Sequence, residues 1–154
     1  MAPKLPFMTS KSEEDGCPAS VADPPYEYAQ FWDVVAPFMQ ASIDKGEGPA
    51  DYNIHHIRQF ISSGNWLLLV AVDETNTIIG ASAVSFVNYP LSRVAFVTAI
   101  GGKFVICKDT FEQMKNILKQ HGATKVQCYV RPAMQRFLER LHFEPGNRLL
   151  EIKI

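Results

Sequence analysis

Two β-rich runs, Arg93 to Ile100 and Thr124 to Val130, are joined by a single amphipathic helix that begins at Asp109 and ends at His121-Gly122. Phe111, Met114, Ile117 and Leu118 recur on one side of it, with Glu112, Lys115 and Lys119 on the other. A helix that returns the chain directly into a second strand places the two strands parallel, through a right-handed crossover. The strands upstream are joined differently. Trp66 to Val72 is followed by the turn Asp73-Glu74-Thr75-Asn76 and a second run from Thr77 to Asn88, and Tyr89-Pro90-Leu91-Ser92 turns into Arg93 to Ile100. These are hairpins, so the sheet is mixed: antiparallel first, with the strand-helix-strand unit suited to a parallel pair. Gly101-Gly102 is expected to interrupt the third strand.

Two helices precede any strand. Tyr28, Phe31, Trp32, Val35, Met39 and Ile43 recur at steps of three and four, with a kink expected at Pro37. Asp51 is the expected cap of a second helix carrying Ile54, Ile57 and Ile61 to a stop at Gly64. After Val130, Pro132 opens a helix with Met134, Phe137, Leu138 and Leu141 as its apolar stripe, and Asn147 to Ile154 reads as a closing strand. The order is α-α-β-β-β-α-β-α-β, one α+β (α/β) domain over residues 26–154.

Residues 1–25 have neither period. Pro3, Pro6, Pro18, Pro24 and Pro25 flank a polar run from Thr9 to Gly16, the pattern of an extended arm. Leu5, Phe7 and Met8 are its apolar pegs, and a segment this poor in core residues gains order only against another surface.

With 154 residues, 47% of them apolar, the chain can bury one sizeable core. A formal net charge of -1 gives no reason to expect nucleic-acid binding. No apolar run approaches the ~20 residues of a membrane helix, and the N-terminus lacks the basic-then-apolar layout of a signal peptide. Cys17, Cys107 and Cys128 form no metal-ligand spacing and read as reduced thiols. Asp51, His55 and His56 lack a fourth ligand, so no metal site is assigned. Charge is uneven along the chain: the first thirty residues are net acidic, and from Lys103 onward basic residues outnumber acidic ones. Arg131, Arg136 and Arg140 are the candidate contact surface, with local pairing of Arg136 and Arg140 to Glu139 or Glu144 as the alternative.

The element order and the run Val130 to Phe143 resemble the GNAT superfamily of acetyl-CoA-dependent N-acyltransferases. Where family members close the last helix with a sequence like F-Y-E-K-L-G-F, this chain has Phe137-Leu138-Glu139-Arg140-Leu141-His142-Phe143. The resemblance implies a GNAT-like fold with acetyl-CoA between splayed strands ending near Thr98 and Val130. It also implies a phosphate loop at Gly101-Gly102-Lys103-Phe104-Val105-Ile106-Cys107-Lys108-Asp109. Thr98, Gly101, Gly102, Lys103, Lys108 and Val130 are therefore the candidate coenzyme contacts.

Several positions depart from the family pattern. Leu138 stands where active members often carry the tyrosine that protonates the coenzyme A thiolate, and it has no proton to give. Phe104, Val105 and Ile106 place β-carbons in the phosphate loop, and Asp109 with Glu112 reads as a capping box that seats a carboxylate where a phosphate would bind. Arg93 to Ile100 offers no acid or histidine as a base. On these grounds no catalytic residue is assigned and no cofactor is expected, acetyl-CoA being the alternative.

Trp32, Trp66-Leu67-Leu68-Leu69-Val70, Gly80-Ala81-Ser82-Ala83, Tyr89-Pro90, Gly101-Gly102 and Arg131-Pro132 followed by Arg136-Phe137-Leu138 further resemble small GNAT-like proteins of short-tailed bacteriophages, including internal virion proteins. That resemblance implies a catalytically degenerate virion component, made in a host cytoplasm and packed through its arm against the portal or neighbouring subunits in an oligomeric assembly. The alternatives are a working, cytoplasmic N-acetyltransferase and a small anti-defence or toxin-like protein.

Overall fold

Five strands form one sheet in the order β1-β2-β3-β4-β5: β1 Ser20–Ala22, β2 Leu67–Val72, β3 Ile78–Tyr89, β4 Ser92–Gly102 and β5 Lys125–Cys128. The computed structural model describes residues 20–22, 31–46, 51–103, 108–146 and 149–154. The helices are α1 Trp32–Asp44, α2 Ile54–Ser62, α3 Lys108–Gln120 and α4 Pro132–Arg140. The first three strand pairs are antiparallel and β4–β5 is parallel, as the α3 crossover requires.

The sheet is covered on both faces. Leu68, Val70 and Val72 of β2 point into a core with Trp32, Val35 and Met39 of α1 and Ile57 and Ile61 of α2. Leu67, Leu69 and Ala71 point the other way, against Met114 and Leu118 of α3. Burial on both sides explains why β2 reads as an unbroken apolar run instead of an alternating one. Among the described residues no helix is long and apolar enough to cross a membrane.

The structure differs from the sequence expectations at five places. Ser20–Ala22, counted in the arm, pairs with Val70–Val72 as an edge strand, and the Val21 N–H donates to Gln113 Oε1 of α3 at 3.0 Å. The rest of residues 1–25, with Leu5, Phe7 and Met8, lies outside the described residues. The cap of α2 is Asn53, not Asp51: its side chain accepts from the N–H groups of His55 and His56, while His56 Nδ1 accepts from the Asn53 N–H. Asp109 is the second residue of α3 and Glu112 pairs with Lys115 at 3.1 Å, so the expected capping box is replaced by a basic first residue and an internal ion pair.

Gly101 and Gly102 continue β4, opposite Ala81 and Gly80. A β-carbon on Gly101 would collide with the backbone carbonyl of Phe38, and Gly102 has φ +72° with the Phe38 ring and the Ile79 carbonyl close by. The glycine pair lets α1 lie close on the end of β4. The closing strand is not formed: residues 149–154 have no regular structure, and Leu149, Leu150, Ile152 and Ile154 are exposed. Alternation alone makes no strand without a ladder partner.

Candidate functional site

Strands β4 and β5 run in register only from Val94 opposite Lys125 to Val97 opposite Cys128. Beyond that point they part. Arg131 has the extended conformation (φ -75°, ψ 145°) that a following proline favours, and Pro132 starts α4, so β5 cannot continue alongside β4. On the other side, Ala83 faces Ala99 while Val84 faces Val97, which leaves Thr98 as the extra residue of a β-bulge. A bulge bends its strand and re-aims the groups beside it.

The divergence opens a cleft of about 460 Å³. The end of α1 from Ala41 to Gly46, together with Tyr52, forms one wall, Val97–Gly102 and Cys128–Arg131 form the strand sides, and Phe111 and Met114 of α3 line its depth. Met134, Phe137 and Leu138 of α4 and Phe143 close it. Phe143 packs against Phe111 with ring centres 5.4 Å apart, which ties the chain after α4 to α3.

Polar groups at the divergence are fixed by neighbours. The Tyr52 hydroxyl donates to the Thr98 carbonyl at 2.8 Å, and Thr98 Oγ1 donates to the Ala83 carbonyl at 2.8 Å. The Ile100 N–H donates to Ser42 Oγ of α1 at 3.2 Å. Burial raises the Tyr52 phenol above its ordinary value, with smaller contributions from Tyr129 and Asp51. Burial likewise pushes the Cys128 thiol up. Both groups therefore hold their protons in neutral solution.

Of the candidate coenzyme contacts, Thr98, Gly101, Gly102 and Val130 line this cleft. Lys103 and Lys108 are exposed on either side of residues 104–107, outside the lining, and 104–107 themselves lie outside the described residues. The three arginines separate: Arg131 lines the cleft, while Arg136 and Arg140 project from α4 into solvent. Glu139 accepts from Gln135 at 2.9 Å, and Lys115–Glu112 is the only ion pair among the described residues, so the local arginine pairing is not formed. No group of three metal-ligating side chains occurs among the described residues.

Among the cleft groups that sequence reasoning did not single out are Tyr52 and Tyr129. Tyr52 precedes the α2 cap and carries no pattern of its own. Tyr129 had a usable signal, as a polar aromatic at the carboxyl end of a strand next to a parallel neighbour, where ligands of such sheets gather.

No family model matches the sequence, and no curated protein matches it. Solved structures do match in fold. A predicted acetyltransferase with acetyl-CoA from Clostridium acetobutylicum matches at TM-score 0.60 and 14% identity, over 87% of this chain and 95% of that one. An aminoglycoside acetyltransferase from an uncultured soil metagenomic sample, in complex with trehalose, matches at 0.63 and 10%, over 88% and 94%. Glucosamine-6-phosphate N-acetyltransferase from Arabidopsis thaliana matches at 0.55 and 11%, over 87% and 97%. These likenesses carry nothing toward a virion role. With the mixed five-stranded sheet and the parting of its last two strands, they show that the chain has the GNAT fold.

Proposed function

We propose that the protein is an acyl-CoA-dependent N-acyltransferase that takes acetyl-CoA between β4 and β5. The observation that carries this reading is the open cleft where Val97 and Cys128 part, lined by backbone of both strands and by the apolar side chains of α3 and α4. The acetyl thioester enters the divergence beside the Thr98 bulge, where backbone dipoles polarise its carbonyl. The apolar depth at Phe111, Met114 and Leu138 excludes water from the thioester. The N-terminus of α3, whose first residue is Lys108, would hold the pyrophosphate, with Lys103 on the other side of residues 104–107 in the chain. Asp109 is the second residue of α3 and keeps an acid in its first turn, so Lys108 and Lys103 are the groups proposed to offset it.

The acceptor is an uncharged amine approaching from the α1–α2 side, past Tyr52. Its lone pair attacks the thioester carbon, and the coenzyme leaves as a thiol. One observation favours a second reading, coenzyme binding without turnover, as in a degenerate virion component: Leu138 lines the cleft and carries no proton.

Titrating acetyl-CoA calorimetrically into the full chain, followed by thiol release with a panel of primary amines, separates the two readings. Micromolar binding with release supports the enzyme, and binding without release supports the second reading. Absence of binding overturns both.

A further inference from the structure

We infer that Tyr129 is the catalytic proton donor to the departing thiolate, a role for which Leu138 has no proton; this rests on the acyltransferase reading above. Tyr129 follows directly on β5, at the point where β4 and β5 part, and lines the same cleft as Leu138 and Thr98. Its ring is held edge-on against Phe96, with centres 5.3 Å apart and planes at 73°. That contact fixes the ring without using the hydroxyl. Tyr129 lines the cleft and is 47% exposed, so solvent also reaches its side chain.

Three other polar groups of the cleft are placed differently. The Tyr52 proton is committed to the Thr98 carbonyl at 2.8 Å. Asp44 Oδ1 accepts from Gln40 Nε2 at 2.9 Å. Lys45 is exposed at the C-terminal cap of α1, on the rim. The Tyr129 hydroxyl makes no hydrogen bond among the described residues. Tyr52 and Tyr129 line the same cleft.

The step balances without any further reactant. The amine nitrogen forms a bond to the thioester carbon, and the carbonyl π pair moves to oxygen. That pair returns, the C–S bond breaks, and the bonding electrons leave on sulfur. The phenol O–H of Tyr129 passes its proton to sulfur, giving the free thiol. The phenolate regains a proton from the former ammonium N–H through water, so the net products are the amide and coenzyme A.

The test compares the full chain with Tyr129→Phe and with the double variant Tyr129→Phe/Leu138→Tyr, each shown folded by circular dichroism. Acetyl-CoA affinity is measured by calorimetry and kcat by thiol release. Tyr129→Phe is expected to lower kcat on the order of a hundredfold, the usual scale of one general acid, with acetyl-CoA affinity unchanged. The double variant, which returns a phenol to the same cleft, is expected to recover part of that loss. An unchanged kcat in Tyr129→Phe overturns the assignment, and so does a parallel loss of affinity and kcat, which marks a packing role. A parent chain that binds acetyl-CoA without releasing thiol, or does not bind it, overturns the acyltransferase reading itself and this assignment with it.

Discussion

The hydroxyl of Tyr52 donates to the backbone carbonyl of Thr98 across 2.8 Å, tying the entry of α2 to the bulged residue of β4. Tyr52 also meets Trp66 edge-on at 5.6 Å, and Trp66 stacks on Phe60 at 4.7 Å, so the lock is backed by an aromatic cluster. Tyr52→Phe keeps the ring and removes only the bond, and is expected to destabilise the fold by about 1 kcal/mol. The pH dependence has a definite sign. The folded phenol lies above its ordinary value of 10.0, so the native state holds this proton more tightly than the unfolded chain does. Its stabilisation is fully present below that value and is lost as pH climbs through the raised one. Thermal unfolding across the alkaline range should show a steeper fall for the parent than for Tyr52→Phe.

Gly101→Ala tests the close approach of α1 to β4. The new methyl group would meet the Phe38 backbone, which cannot swing away as a side chain can, so a loss of about 1–3 kcal/mol or more is expected. Gly146→Ala is the control, since nothing lies within 4 Å of the position its methyl group would take. Denaturant unfolding of both variants should separate them clearly.

Asn53→Ala removes the side-chain acceptor for two N–H groups of α2 and should cost about 1 kcal/mol. Asp51→Ala, at the position that sequence alone points to, should leave the unfolding midpoint close to that of the parent.

How far the sequence reaches is visible at particular residues. The helix–strand crossover into Lys125–Cys128 and the apolar runs of β2 to β4 were legible because periodicity reports burial directly. The α2 cap was misplaced because Asp51 and Asn53 are both good caps, and only the backbone turn chooses between them. Gly101 and Gly102 were read for phosphate, whereas their missing side chains also admit α1; a glycine pair does not say which neighbour approaches. Thr98 and Val130, named through the family resemblance, line the cleft. Tyr52 escaped notice because it reaches β4 from a loop 46 positions away in sequence, a contact that no local pattern encodes.

Lys103→Ala and Lys108→Ala should each weaken acetyl-CoA binding more at low salt than at high salt. Both side chains are exposed, so their attraction for phosphate is screened. Calorimetric titrations at two ionic strengths give the comparison; equal losses at both would mean direct, desolvated contacts instead.

The proposed occupancy of the β4–β5 divergence is tested most directly by backbone NMR of the full chain during titration with acetyl-CoA. The account predicts saturable shifts concentrated at Thr98–Gly102 and Tyr129–Arg131, with α2 residues beyond Tyr52 little changed. Absence of saturable shifts, or shifts centred on the exposed faces of α2 or α4 with β4 and β5 silent, would contradict it.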